Sequence, residues 1–234
     1  MSGFTDIHAH FVYGLDDGAK TREDMEALLD AANKNGITCL YATPHVEPGV
    51  RAFDEPLFLA RAEEARQYCL GMGYPIRIET GAELMYTPAM DARIQDRRLI
   101  TMGDSDRVLV EFVPDISLRE LEYALRLMEE SGYQPILAHI ERYQCMGAGT
   151  PARLKKRYPV QFQVNCRSVV RTAGFLDRWR LRHWLKRGVI DYIATDMHNC
   201  KGRAPMMQKA YKILCQRFGE EYADCLTTAE RMTP

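Results

Sequence analysis

The sequence lacks the segments that mark membrane-spanning, secreted or disulfide-stabilised proteins. No apolar run approaches the roughly 20 residues that a helix needs to cross a bilayer, so we expect no membrane insertion. The N-terminal stretch MSGFTDIHAH has neither the basic nor the apolar region of a signal peptide, and we expect none. The seven cysteines include no CxxC pair, which disfavours a zinc–thiolate site and predicts reduced thiols in a cytoplasmic protein.

The sequence also lacks an excess of charge of either sign. Its 31 Lys and Arg residues nearly balance its 32 Asp and Glu residues, so we expect no non-specific binding to nucleic acid. The hydrophobic fraction of 46% is too high for general disorder. No Pro-, Gly- or Ser-rich linker interrupts the chain, and we therefore predict that residues 1–234 form a single domain.

Short apolar runs alternate with longer amphipathic segments along the chain. Strands are predicted at residues 4–11, 37–43, 75–83, 107–113, 134–140, 160–165 and 190–195. Helices are predicted at residues 21–35, 56–72, 117–131, 150–157, 175–187 and 205–218, and a helix plus a loop within residues 84–106. Seven strand-and-helix units indicate an α/β fold with a parallel sheet, which is either open and doubly wound or closed into a barrel.

Histidines are few, but five of the six lie on a predicted strand or at its carboxyl end. His8 and His10 are two residues apart, so they share one face of the first strand, which Asp16 and Asp17 follow closely. The residues that end or follow later strands are His45, Glu83, Glu111, His139, Asp196 and His198. The carboxyl ends of parallel strands form active-site rims, and imidazole with carboxylate suits Zn, Mn, Fe or Co. The pattern therefore predicts a metal site.

The sixth histidine, His183, lies in the basic and aromatic segment RWRLRHWLKR. The charges of this segment are spread around the predicted helix rather than gathered on one side. We therefore interpret it as a solvated helix face rather than a nucleic-acid-binding helix, with His183 at or near its surface.

The order of motifs DIHAH, DDGAK, ATPH, GAE, EF, AHIER and TDMHN resembles the PHP (polymerase and histidinol phosphatase) superfamily. Within it, the sequence is most similar to the manganese-dependent protein-tyrosine phosphatases of bacterial capsule and exopolysaccharide gene clusters, the CpsB/YwqE type. The resemblance implies a distorted, TIM-like (β/α)7 barrel. It also implies up to three manganese (Mn²⁺) ions at the carboxyl-terminal rim, with Fe, Zn, Co or Mg as alternatives.

The same resemblance implies how the ligands are divided among three metals. The first metal would be held by His8, His10, Glu83 and Asp196; the second by Glu83, Glu111 and His139; the third by Asp17, His45 and His198. Arg142 and Arg203 match arginines that grip the phosphate. The stretch VNCRSVVR departs from the small-residue segment that relatives usually carry after the sixth strand, which bears on the substrate rim.

The expected function is the hydrolysis of phosphotyrosine in a protein, by a hydroxide held between two metal ions. The expected partner is the C-terminal tail of a tyrosine kinase that regulates polysaccharide synthesis. One alternative is another PHP phosphoesterase, acting on histidinol phosphate or on a small sugar or nucleotide phosphate. A second is a binding module that keeps metals without catalysis, and a third, an amidohydrolase, is disfavoured by Glu111.

Overall fold

The computed structural model describes residues 3–171 and 174–228 of the chain. Within these residues the strands are β1 (Phe4–Ala9), β2 (Ile37–Ala42), β3 (His45–Val46), β4 (Arg77–Thr80), β5 (Glu83–Met85), β6 (Arg107–Glu111), β7 (Gln134–Leu137), β8 (Gln161–Asn165) and β9 (Tyr192–Ala194). The α-helices are α1 (Arg22–Lys34), α2 (Glu55–Gly71), α3 (Asp91–Gln95), α4 (Leu118–Glu130), α5 (Thr150–Lys155), α6 (Cys166–Val170), α7 (Phe175–Lys186), α8 (Met207–Phe218) and α9 (Glu220–Thr227). Single 3₁₀ turns lie at Pro88–Met90 and Ile140–Arg142.

The strands form two parallel sheets that continue one another. One sheet has the order β1-β2-β4 and the other has the order β3-β5-β6-β7-β8-β9. Only Thr43 and Pro44 separate β2 from β3, and only Gly81 and Ala82 separate β4 from β5. Each of these pairs is therefore one broken strand, and the nine segments occupy seven strand positions.

The first and last strand positions meet beyond the end of β9. Ala9 forms a parallel bridge with Met197, and the backbone amide of His10 donates to the carbonyl of Met197 at 2.9 Å. The buried Asp6 carboxylate accepts hydrogen bonds from the backbone amide of Thr195 at 2.9 Å and from its hydroxyl. The sheet is thus curled round into a distorted barrel, which confirms the predicted fold class and excludes the open sheet.

Apolar side chains fill both faces of this curled sheet. The larger cluster lies between the strands and the surrounding helices and includes the fully buried Trp184 and Phe58. A smaller cluster joins Ile7 of β1 to Leu109 of β6 and Tyr192 of β9. Because its members come from strands on opposite walls, this cluster fills the interior and leaves the carboxyl ends for polar groups.

Side-chain caps open two of the longer helices. In α1 the Thr21 hydroxyl accepts from the amide of Asp24, and in α4 Ser117 accepts from Glu120, so both helices open with a capping box. Each apolar run predicted to be a strand contains one, and the segment 84–106 contains α3 and a loop. None of the helices in the described part of the chain combines the length and the apolar composition that a membrane span requires.

Two short helices were not predicted. Helix α6 has five residues with two valines and no side-chain cap, so neither composition nor capping indicated it. Helix α9 also begins without a side-chain cap, directly after Gly219, and is held by burial of Ala223 and Leu226. Tertiary packing stabilises both helices where local signals do not.

Candidate metal centre

The fold brings all nine predicted metal ligands together at the carboxyl ends of the strands. Their ligand atoms fall into four overlapping groups, each with atoms within 4.8 Å of one another. The groups are His10, Asp17, His45 and His198; His8, Glu83 and His139; His8, His10 and Asp196; and His45, Glu83 and Glu111. The cluster therefore draws on six of the seven strand positions or the loops that follow them.

Glu83 lies at the centre of the cluster and is almost fully buried. Its Oε2 is 3.1 Å from Nε2 of His8, 3.2 Å from Nε2 of His10 and 3.1 Å from Nδ1 of His45. Its Oε1 is 2.8 Å from Nε2 of His139. Among the described residues, Oε2 of Glu83 and Nδ1 of His45 form no hydrogen bond of acceptable geometry. A buried carboxylate oxygen facing three imidazole nitrogens is an arrangement that a divalent cation satisfies, so the residues fit a metal.

The predicted division of ligands among three metals is simpler than the arrangement in the structure. His10 was expected at the first metal only, yet its ring lies in a group with His8 and Asp196 and also in a group with Asp17 and His198. His45 was expected at the third metal only, yet it lies within reach of Glu83 and Glu111 as well. Which ligand holds which ion therefore stays a prediction.

Burial and charge shift the pKa values of these groups in opposite directions. Burial is the largest influence on His139 and lowers its pKa to about 4, although Glu83 opposes it. Burial also lowers the pKa of His10, but the nearby carboxylates of Asp16 and Glu83 outweigh it and raise that pKa to about 10. Burial and the charge of Glu83 raise the pKa of Glu111 to about 7. Such mutual repulsion of crowded carboxylates is relieved when a cation binds between them.

Asp16 positions two of the candidate ligands, a role that was not predicted for it. Its Oδ2 is 2.7 Å from Nδ1 of His10 and accepts the backbone amide of His45 at 2.9 Å. Its Oδ1 accepts the amide of Gly18 at 2.8 Å, which holds the turn in place. A carboxylate on the far nitrogen of an imidazole orients the ring for a metal. The signal in the sequence was the first Asp of the DDG motif.

Two polar residues of β8 also support the cluster and were missed. Oε1 of Gln163 accepts the backbone amide of His139 at 2.7 Å and lies 3.2 Å from Nδ1 of His8. Nδ2 of Asn165 donates to Oδ2 of Asp196 at 2.7 Å. Both are buried, and their spacing of two in the strand sequence QFQVN was the available signal.

Two of the candidate ligands have a left-handed backbone. His139 has φ of 31° and Asp196 has φ of 52°, and neither is a glycine. This conformation is unfavourable for residues with a Cβ, by about 1–3 kcal/mol, and it clusters at functional sites. The turn after β7 and the turn after β9 therefore aim these side chains at the cluster at a local conformational cost.

Arg142 and Arg203 lie beside the cluster and share Asp196. Nη2 of Arg142 is 2.6 Å from Oδ2 of Asp196, and Nη1 is 3.7 Å from Oε1 of Glu111. Nη2 of Arg203 is 2.7 Å from Oδ1 of Asp196, and Nη1 is 3.5 Å from Oδ2 of Asp17. The two arginine side chains are 40% and 33% exposed, so both cations border the solvent at this site.

His183 lies apart from the cluster, on α7. Its ring stacks on Trp179 with the centroids 5.4 Å apart, and it is half-buried. Leu181 and Trp184 bury the inner side of the helix, whereas Phe175 is exposed. His183 belongs to none of the candidate metal groups found among residues 3–171 and 174–228.

The fold and the cluster together define a class of protein, the distorted α/β barrel with a cluster of candidate metal ligands at the carboxyl ends of its strands. Comparison with known families then narrows the class: the family described as "Capsular polysaccharide synthesis, CpsB/CapC" matches residues 4–233. The chain belongs to this family.

Named relatives and a solved structure agree with this assignment. The chain is 29% identical over 225 residues to the tyrosine-protein phosphatase CpsB of Streptococcus pneumoniae, covering 93% of this chain and 92% of the relative. It is 28% identical to the tyrosine-protein phosphatase YwqE of Bacillus subtilis, covering 95% and 88%. A structure described for YwqE and CpsB as metal-dependent tyrosine phosphatases superposes with a TM-score of 0.83 at 26% identity, covering 94% and 89%.

A more distant structural match concerns the fold alone. The organophosphorus hydrolase of Deinococcus radiodurans superposes with a TM-score of 0.63 at 14% identity, covering 98% of this chain and 92% of that one. The barrel architecture is therefore shared with a protein whose sequence is only 14% identical to this one.

Proposed function

We propose that this protein is a metal-dependent phosphatase that hydrolyses phosphotyrosine in a protein substrate. The observation that carries the proposal is the position of Glu83 Oε2, within 3.2 Å of three imidazole nitrogens, inside a cluster that Arg142 and Arg203 flank. Membership of the CpsB/CapC family and the names of the relatives support the same activity.

We assign the nine clustered residues as ligands of up to three manganese ions, with Fe, Zn, Co or Mg as alternatives. They are His8, His10, Asp17, His45, Glu83, Glu111, His139, Asp196 and His198. Bound metal ions supply Lewis-acid chemistry, which makes a nucleophile available at neutral pH and offsets the charge of the phosphate. The low pKa of His139, about 4, keeps that imidazole neutral and able to donate its lone pair.

The remaining groups bind the substrate and hold the ligands in position. Arg142 and Arg203 present planar guanidinium groups that match phosphate oxygens, and both border the solvent beside Asp196. Asp16 fixes the ring of His10 through the 2.7 Å contact with its Nδ1. Tyrosine has a pKa near 10 and leaves more readily than an alkyl alcohol, so an aryl phosphate needs little help from a general acid.

The physiological substrate that we propose is the C-terminal tail of a bacterial tyrosine kinase that regulates capsular or exopolysaccharide synthesis. The family description, capsular polysaccharide synthesis, supports that setting. We further propose a single domain acting in the cytoplasm, since all seven cysteines are free thiols, as is typical of a reducing compartment.

The simplest experiment replaces single ligands. His139→Ala and Asp196→Ala are each expected to lose nearly all turnover of p-nitrophenyl phosphate with Mn²⁺. His183→Ala removes a histidine outside the candidate metal groups and is expected to keep wild-type turnover. Undiminished turnover in the first two variants would contradict the assignment of these residues as metal ligands.

Substrate profiling distinguishes a protein-tyrosine phosphatase from other phosphoesterases and from a non-catalytic binding module. A phosphotyrosine peptide with the sequence of a kinase tail is expected to be hydrolysed far faster than histidinol phosphate or small sugar and nucleotide phosphates. The reverse ranking would favour a different phosphoesterase. Binding of the phosphopeptide without any turnover would favour a non-catalytic module.

A further inference from the structure

A cavity of about 180 Å³ opens beside His45, next to the metal centre. The apolar part of its lining comes from Leu15, in the loop after β1, from Phe53, just before α2, and from Leu57, in the first turn of α2. His45, Glu47, Arg51 and Asp54 supply the polar part of the lining. A volume of roughly 150 Å³ is enough for a benzene molecule, so the cavity is large enough for a phenyl ring in contact with its apolar part. His45 is both a candidate metal ligand and part of the cavity wall, which places the cavity directly adjacent to the metal centre.

The two walls of the cavity are tied together. Nη1 of Arg61, on α2, donates to the backbone carbonyl of Tyr13 at 2.8 Å, and its guanidinium lies over the Tyr13 ring at 4.2 Å from the centroid. Gly14 follows with φ of +66°, a left-handed conformation that carries the chain towards Leu15. These contacts hold the loop after β1 against α2.

The second wall is also held in a defined shape. The amides of Val50 and Arg51 both donate to the carbonyl of Glu47 at 3.0 Å, which forms a turn after β3. Oδ1 of Asp54 caps α2 by accepting the amide of Leu57 at 3.0 Å. Phe53 packs on the buried Phe58 with the ring centroids 5.6 Å apart. The apolar surface is therefore organised before any ligand binds.

We infer that this cavity holds the phenyl ring of the substrate, so that Leu15, Phe53 and Leu57 select aryl phosphates over alkyl phosphates. The inference rests on the proposed phosphatase function and adds the residues that determine its specificity. If the phosphate binds at the metals next to His45, the group esterified to it can occupy the cavity. A tyrosine ring buries apolar surface there, whereas a serine or sugar phosphate does not.

The test compares two phosphonates that differ only in the ring, phenylphosphonate and methylphosphonate, titrated calorimetrically into the manganese-loaded protein. Wild-type protein is expected to bind phenylphosphonate about tenfold or more tightly, as apolar pockets discriminate at this level. Phe53→Ala and Leu57→Ala are each expected to lose that preference while binding methylphosphonate as before. Leu59→Ala, on the same helix but outside the cavity, is the matched control and keeps the preference.

Two further measurements complete the test. Leu57→Trp fills the cavity and is expected to weaken the binding of phenylphosphonate without affecting that of methylphosphonate. This variant tests the inference even if the two alanine variants do not fold. Equal affinity of wild-type protein for both phosphonates, or a preference that survives both truncations, would overturn the inference. So would an equal loss of both phosphonates in a folded variant. Turnover of p-nitrophenyl phosphate tests the phosphatase function separately, because phosphonate binding requires no catalysis.

Discussion

Nη2 of Arg142 lies 2.6 Å from Oδ2 of Asp196, and the other oxygen of that carboxylate pairs with Arg203. Asp196 is also within 3.7 Å of the imidazole nitrogens of His8 and His10. One buried carboxylate thus joins the candidate metal ligands to both candidate phosphate-binding cations. The arrangement holds the two guanidinium groups at the edge of the metal centre before substrate arrives, which reduces the entropy lost on binding.

Removing either arginine is expected to lower the catalytic efficiency of the protein towards phosphate esters. Arg142→Ala and Arg203→Ala should each lower kcat/KM for p-nitrophenyl phosphate by about tenfold to 100-fold, because a charge-assisted hydrogen bond contributes about 1.5–3 kcal/mol. Inhibition by inorganic phosphate should weaken in parallel. Arg126→Ala, on the exposed side of α4, is the control. An unchanged kcat/KM in both variants, with metal content intact, would contradict the phosphate role.

Asp17 offers a test of the metal count, because it is a candidate ligand with a 60% exposed side chain. Its Oδ1 is 3.3 Å from Nε2 of His45 and 3.2 Å from Nε2 of His198. Asp17→Asn is expected to fold normally and to lose about one metal ion per chain, as measured by elemental analysis. Asp104→Asn replaces an exposed carboxylate elsewhere and should keep the wild-type content. Equal metal content in the two variants would exclude Asp17 as a ligand.

Chelation is expected to lower thermal stability as well as activity. A metal that binds only the folded state adds about 2.7 kcal/mol when its concentration is 100 times the Kd, which for a chain of this size corresponds to about 5–10 °C in Tm. Scanning calorimetry with and without a chelator measures the difference, and added Mn²⁺ should restore it. Glu83→Gln, which removes the central carboxylate charge, should reduce the effect of the chelator on Tm. A Glu83→Gln protein that still responds fully would argue against Glu83 as a ligand.

The contact between the first and last strand positions predicts a large effect at Asp6. This fully buried carboxylate accepts the amide of Thr195 at 2.9 Å and the amide of His8 at 3.3 Å. Asp6→Ala is expected to lower the free energy of unfolding by about 2–5 kcal/mol, since buried donors lose their acceptor. Asp106→Ala, which removes an exposed pair with Arg97, should cost under about 1 kcal/mol. Denaturant unfolding measures both, and equal effects would contradict the structural role of Asp6.

The same variant has an expected pH dependence. Burial raises the pKa of Asp6 to about 6, although hydrogen bonds from Thr195 oppose the shift. The folded state then holds this proton more tightly than the unfolded state, so the stability that Asp6 contributes falls as pH rises from about 4 to about 6. The difference between wild-type and Asp6→Ala protein should therefore be larger at pH 5 than at pH 7. A difference that is the same at pH 5 and pH 7 would show that the pKa of Asp6 is not raised in the folded state.

Much of the fold and most of the cluster could be predicted from local patterns. Apolar runs and amphipathic segments place most strands and helices, because both patterns depend on neighbours in the sequence. The spacing of His8 and His10, and the positions of Glu83 and His139 at strand ends, indicate one rim, because parallel strands all end on the same side of a sheet.

The order of residues along the chain by itself determined that the nine candidate metal ligands would meet. Strand periodicity places them on common faces, and parallel strands all end at the same edge of the sheet. Only the tertiary structure decided how they meet: the closure at Ala9 and Met197, the contacts of Asp16 and Gln163, and the cavity beside His45. These features depend on the curl and register of strands far apart in the chain. Distances of about 3 Å between such residues are set by packing in three dimensions and are not encoded in any local spacing.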